Sequence, residues 1–238
     1  MVAKKITSLQ HPLVKHWTAL RTDKAYMQEA KRVLISGKKM IQEIPLETLI
    51  VLEPNSSIRC KEEILVTEPI LKKITGLVQP DGFAGVALMP ERKDLRKKQR
   101  VLILDQISDP GNLGTLLRTA LALGWEGVIV TPGTVDLFNE KALRAGKGAQ
   151  FHLPYDQLSR GEIAKIGWHF YTADLEGEAL EGALFKTPLA LILSSEGHGA
   201  HEWSKSFTKK ITIPMVGQVE SLNVAASGAI LLYEMRKK

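Results

Sequence analysis

Three stretches hold polar residues where a plain connecting loop would not need them: 105–120 (DQISDPGNLGTLLRTA), 193–200 (LSSEGHGA) and 211–234, with Ser221 and Asn223 at its middle. In the first, Arg118 stands among apolar Leu116, Leu117, Ala120 and Leu121. An arginine on so apolar a helix either snorkels to solvent or serves a site, and a guanidinium can grip a phosphate with two parallel hydrogen bonds. Gly111-Asn112-Leu113-Gly114 has the look of a phosphate-cradling loop at a helix start. It is not G-x-G-x-x-G, and no Lys-Ser or Lys-Thr pair follows, so dinucleotide and P-loop readings are weak. Glu196 can serve acid–base chemistry or cap the helix after it. His198 and His201 lack a third ligand in sequence, which argues against a metal. No G-x-S-x-G elbow and no paired catalytic carboxylates are present, so hydrolase chemistry is poorly supported.

Elements that place these groups follow from the local pattern. An apolar strand over 101–104 precedes the first stretch, and Asp109-Pro110 supplies a cap and an N1 proline for a helix to Gly124. Strands are expected over 128–131, 170–172, 189–193 and 211–213, the last stopped by Pro214. Ser221 reads as the N-cap of a closing helix over 222–234 whose residues Ala225, Ala226, Ser227, Gly228 and Ala229 are all small. Something therefore comes close to that backbone, a neighbouring helix or a flat polar ligand. Apolar strands alternating with helices specify a parallel sheet covered on both faces, and its ligand belongs beyond the carboxyl ends of the strands.

The first ninety residues read as a separate α/β unit. It opens with an amphipathic helix carrying Leu13, Trp17 and Leu20, then strands over 33–36, 49–52, 64–67 and 83–88, with helices over 38–43 and 70–75. Residues 89–100 form a charged run that reads as a solvated connector, giving domains of 1–90 and 101–238 joined by a 91–100 linker. Residues 1–100 hold 19 Lys+Arg against 11 Asp+Glu, net +8, whereas 101–238 hold 13 against 15, net −2. Such one-sided charge favours a polyanionic partner, most simply nucleic acid. The single cysteine, Cys60, excludes an intrachain disulfide framework and reads as inert. With no signal peptide and no apolar run of about 18 residues, a cytoplasmic location is the expectation.

Taken together, the three stretches resemble the SpoU (TrmH-type) RNA 2′-O-ribose methyltransferases of the SPOUT superfamily. The family's Asn-x-Gly with an arginine four residues on corresponds to Asn112, Gly114 and Arg118; its strand and Glu-Gly-x-Gly turn to 191–193 and Glu196-Gly197-His198-Gly199; its Ile-Pro-Met and Ser-Leu-Asn-Val to Ile213-Pro214-Met215 and Ser221-Leu222-Asn223-Val224. Residues 141–154 also resemble the family's segment between the first two motifs. There are departures. Ser194-Ser195 stands where glycine is usual, Gly146 where serine is common, and Ser36 where the fused N-terminal domain often has glutamate.

The resemblance implies a C-terminal parallel-sheet methyltransferase domain with a deep trefoil knot, preceded by a smaller α/β RNA-binding domain. It implies S-adenosylmethionine as cofactor, held by Ser194, Glu196, Gly197, Ile213, Met215, Leu222 and Asn223, and no metal. It implies a homodimer formed through the C-terminal helices, which would occupy the small-residue face. Arg118, Asn112, Ser221 and Asn223 become the catalytic set. Arginine does not readily give up its proton, so Arg118 is expected to clamp a phosphate beside the reacting hydroxyl. Ribosomal RNA is the expected substrate. Transfer RNA, a base-methylating relative and a non-catalytic RNA-binding or ribosome-assembly factor are the alternatives.

Overall fold

The computed structural model describes residues 4–54, 57–194, 203–217 and 221–236. The chain divides into two compact units, Met1–Pro90 with Phe138–Arg144, and Glu91–Leu137 with Ala145–Lys238.

In the first unit β1 (Lys4–Ile6), α1 (Pro12–Thr22), α2 (Lys24–Ala30), β2 (Arg32–Ser36), α3 (Lys38–Glu43), β3 (Leu46–Val51), β4 (Cys60–Val66), α4 (Glu68–Thr75) and β5 (Phe83–Leu88) follow one another. The strands form one sheet in the order β1-β4-β3-β5-β2, parallel from β1 to β3 and antiparallel where β5 meets β3 and β2. The sequence suggests one long opening helix, but two are present. Asp23 adopts an extended backbone and accepts from Tyr26 N–H at 3.1 Å, so it caps a second helix instead of continuing the first. Val14, Trp17 and Leu20 form the buried stripe of α1 and meet Ile70, Leu71 and Ile74 of α4 in the core, with Leu13 packed at its margin.

The second unit contains β6 (Arg100–Asp105), α5 (Pro110–Ala122), β7 (Gly127–Val130), β8 (Tyr155–Gln157), α7 (Arg160–Ile163), β9 (His169–Ala179), β10 (Leu189–Ser194), β11 (Thr208–Thr212) and α8 (Val224–Glu234); α6 (Glu140–Gly146), between β7 and β8 in sequence, belongs to the first unit as far as Arg144. All six strands run parallel, in the order β11-β9-β10-β6-β7-β8. Val101, Leu102, Ile103 and Leu104 of β6 are each fully buried, as a strand covered on both faces requires. Val101, Ile103, Ala190 and Ile192 belong to one core with Leu95, Ile163, Trp168 and Phe170. Leu95 lies within the charged run expected to be a solvated connector. Its burial makes residues 91–99 an irregular rim of the second unit, anchored further by Lys93 N–H on the Tyr155 carbonyl at 2.8 Å.

Helix α8 packs on α5 and β10. A Cβ at Gly228 would collide with Leu116 of α5 and sit 2.7 Å from Leu193 of β10. At Gly228 the small-residue face serves close packing inside the chain. A correction concerns where the helix begins. Asn223, not Ser221, is the N-cap, because its Oδ1 accepts from Ala225 N–H at 2.9 Å and Ala226 N–H at 3.4 Å. Ser221 and Leu222 therefore stay in the loop before it.

Candidate functional site

Strand β9 is longer than β10 can cover. Its pairing with β10 ends at Thr172, while Glu178 and Ala179 pair with Ile211 and Thr212 of β11 across a register shift between Lys210 and Ile211. Gly177 makes this possible, since a Cβ there would fall 2.6 Å from the Ile211 nitrogen. The overhang, the ends of β10 and β11 and the approach to α8 enclose a cavity of about 410 Å³. It lies beyond the carboxyl ends of the strands, where parallel α/β sheets place their ligands.

Five residues singled out from the sequence line this cavity: Ser194, Ile213, Met215, Ser221 and Leu222. Leu193, Ile211, Val224 and Leu175 add apolar wall. The Ser194 Oγ is buried and has no hydrogen-bond partner among the described residues. A buried hydroxyl left unpaired costs about 1–3 kcal/mol, so this one is suited to a partner that arrives with a ligand.

Asn223 is not part of the lining, but it ties the site to α5. Its Oδ1 is committed to the helix cap, which turns its Nδ2 toward Asn112, and the two side chains meet at 3.2 Å. Asn112 is itself placed by Asp109, the N-cap of α5, whose Oδ1 takes the Asn112 N–H at 2.7 Å. Arg118 is six residues further along, about 9 Å up the helix axis, exposed and outside the lining. The structure therefore joins Asn112 to Asn223 and places Arg118 on the solvent face of α5. Glu196 and Gly197 lie outside the described residues.

Sequence reading missed Ala173, Asp174 and Glu176 in the lining. The signal was present: in TADLEGEA, Asp174, Glu176 and Glu178 alternate with Ala173, Leu175 and Gly177, a period-2 pattern marking a strand that runs past Thr172. Asp174 accepts from Glu176 N–H at 2.9 Å and pairs with Lys210 at 2.9 Å. Burial works to raise its carboxyl, but these two contacts with the nearby Lys205 outweigh it and hold the group below the usual carboxylate range. Asp174 is thus held as a carboxylate paired with Lys210, which also lies 3.9 Å from Glu176. No group of three His, Cys, Asp or Glu side chains able to hold a metal is found among the described residues. Nor is any helix there long and apolar enough to cross a membrane.

A six-stranded parallel sheet with a mostly apolar cavity at its carboxyl end, edged by Asp174 and Glu176, defines an α/β protein with a site of small-molecule size. Comparison with known proteins narrows this. The SpoU rRNA methylase family model matches residues 99–233, and the chain belongs to that family. The chain is 33% identical over 254 residues to a 23S rRNA (guanosine(2553)-2′-O)-methyltransferase, RlmP, of Bacillus subtilis, covering 98% of this chain and 99% of that one. Its fold is similar to that of an AdoMet-bound rRNA methyltransferase from Sinorhizobium meliloti, with TM-score 0.85, 26% identity, and coverage of 98% of this chain and 97% of the other. It is also similar to an RNA 2′-O ribose methyltransferase structure, at TM-score 0.80 and 30% identity, with 97% of each chain covered.

Proposed function

We propose that this protein is an S-adenosylmethionine-dependent methyltransferase that modifies a ribose 2′-hydroxyl of ribosomal RNA. The observation that carries the reading is the convergence of Ser194, Ile213, Met215, Ser221 and Leu222, drawn from two separate motifs, on one cavity at the carboxyl end of the sheet. Its volume suits a small-molecule site, which typically measures about 300–1,000 Å³. The Ser194 Oγ, without a partner among the described residues, and the carboxylates of Asp174 and Glu176 also fit a ligand with polar edges and a positive centre. Bound there, the cofactor supplies an electrophilic methyl group on a sulfonium, so the transfer calls for no metal.

The remaining work falls to this chain's own side chains. Leu193, Ile213, Met215, Leu222 and Val224 exclude water and give a flat apolar seat, while Asp174 and Glu176 favour positive charge near the mouth. Glu196 and Gly197 complete the cofactor set. Asn112 and Asn223, locked to each other, hold the starts of α5 and α8 at a fixed spacing, and Ser221 with Asn223 orients the ribose beside the cofactor. Arg118 clamps the phosphate next to the reacting hydroxyl, drawing the RNA backbone onto the exposed face of α5 and easing loss of the hydroxyl proton.

The basic first unit supplies RNA affinity, with phosphate contacts in the main. The knotted path of the family's catalytic domain and its homodimer are part of the same proposal. Ile230 and Tyr233, 39% and 46% exposed on the outer side of α8, are the apolar residues that a second copy would cover. A cytoplasmic location goes with a ribosomal substrate.

Calorimetry of S-adenosylmethionine binding, followed by labelled methyl transfer to size-separated unmodified RNA, tests the reading. Label in ribosomal RNA is expected. Label in transfer RNA alone would replace the substrate, and binding of RNA without cofactor would replace catalysis with a non-enzymatic role.

A further inference from the structure

Asp105, the last residue of β6, is fully buried. A buried carboxylate persists only where donors surround it, and those gathered here come from three other parts of the second unit. Thr131 Oγ1, just past β7, donates to Oδ1 at 2.6 Å. Arg160, the first residue of α7, grips both oxygens, Nε to Oδ1 and Nη2 to Oδ2, each at 3.1 Å. Trp203 Nε1 donates to Oδ2 at 3.1 Å. The Trp203 ring is held in turn by Phe207, with centroids 5.5 Å apart, and by the Arg160 guanidinium at 5.8 Å.

Two of these relations concern the same piece of chain. Asp105 is the register partner of Ser194, the final residue of β10 and part of the cavity wall. Trp203 follows Ser194 by nine residues, an interval of sequence that includes Glu196 and Gly197. One carboxylate therefore stands beside Ser194 and accepts from Trp203. Adjacent strands lie about 4.8 Å apart, so Ser194 and Trp203 are both held around a single side chain.

We propose that Asp105 is a positioning residue for the cofactor site: by its place beside Ser194 and its bond from Trp203 it fixes the Ser194 side of the cavity. The proposal rests on the cofactor reading above. It explains why a charge is buried at a strand end where an apolar residue would pack more cheaply. It also gives Trp203 a role that its ring packing alone does not need, since phenylalanine would fill much the same space.

The test compares two substitutions that each delete one indole N–H donor from the full-length protein. Trp203→Phe removes the bond to Asp105, while Trp125→Phe removes the buried 3.1 Å bond from Trp125 Nε1 to the Leu232 carbonyl at the far end of α8. The Kd for S-adenosylmethionine is measured by calorimetry, thermal stability by unfolding, and kcat at saturating cofactor by methyl transfer. Trp203→Phe is expected to weaken cofactor binding about tenfold, the scale of one hydrogen bond to a charged group, with kcat at saturation near that of the unmodified protein. Trp125→Phe is expected to lower the melting temperature while leaving the Kd unchanged. In an Asp105→Asn background, Trp203→Phe should add little further loss of affinity, because the two share one interaction. Unchanged cofactor affinity in Trp203→Phe, or an equal loss in both tryptophan variants, overturns the positioning role while the cofactor reading stands. Absence of binding by the unmodified protein would take both down together.

Discussion

Ser194 concentrates the chemistry of the site at the scale of one residue. Its hydroxyl stands where the resemblance to the family leads one to expect a glycine, and it lines the cavity buried and without a partner among the described residues. A Cβ at this point takes space near the ligand, but the hydroxyl also offers a hydrogen bond that glycine could not. Removing an unsatisfied buried polar group is neutral or mildly stabilising, whereas removing one that a ligand satisfies weakens binding. Ser194→Ala should therefore leave the melting temperature unchanged or slightly raised and weaken S-adenosylmethionine binding about five- to tenfold, with unfolding and calorimetry run side by side. Equal affinity in the two proteins would mean that the hydroxyl faces no ligand. Arg118 is the opposite case: exposed, outside the cavity, and assigned to the RNA. Arg118→Ala should abolish methyl transfer while leaving the cofactor Kd within about twofold. Arg118→Lys should recover little, because a compact ammonium cannot reproduce a bidentate grip. Strong loss of cofactor binding in Arg118→Ala would move this residue into the cofactor site.

Among the elements, the N-termini of α5 and α8 are the pieces the site depends on. Asn223 caps α8 and holds Asn112 with the same amide, so one substitution removes both functions. Asn223→Ala should cost about 1 kcal/mol of stability, typical of a lost N-cap, and should lower turnover further than Asn112→Ala, which leaves the cap in place. Thermal unfolding and methyl-transfer rates on the two variants check this; identical losses would show that the cap carries no separate weight. Much at this scale could be read beforehand. The strand at 101–104 and the Asp109-Pro110 helix start were legible because apolar runs and capping residues act locally. What escaped was decided by tertiary contacts. Asn223 won the cap over Ser221 because both have capping side chains and only geometry chooses between them. The second half of β9 was passed over although its alternation is present, since Asp174 and Glu176 put charges where a buried strand is expected to be apolar, and only Lys210 and β11 beside them account for those charges. Burial of Leu95 within a charged run was equally invisible, because one leucine makes no periodicity.

At the scale of the whole molecule, most of the net positive charge and the candidate site belong to different units. The first unit holds 15 Lys+Arg against 10 Asp+Glu, net +5, and the second 17 against 16, net +1, which favours RNA affinity in the first unit and chemistry in the second. Affinity for RNA should therefore fall steeply with salt, by roughly an order of magnitude or more between about 50 and 200 mM, with a log–log slope that counts the phosphates contacted. Cofactor affinity over the same range should barely move. Filter binding across a salt series, with calorimetry of the cofactor at each end, separates the two; a salt-independent RNA affinity would remove the phosphate-contact account. Site residues were legible at this scale only through three motifs far apart in sequence; residues of the second and third meet in one cavity because β10 and β11 end at the same sheet edge, and the first is joined to them through Asn112 and Asn223.

The central claim is that the methyl group goes to a ribose 2′-hydroxyl. It is tested most directly by transferring a labelled methyl group from S-adenosylmethionine to unmodified ribosomal RNA with this protein and then hydrolysing the product in alkali. Alkaline cleavage needs a free 2′-hydroxyl, so the account predicts that the label survives in a dinucleotide. Label recovered in mononucleotides would place the methyl group on a base and contradict it.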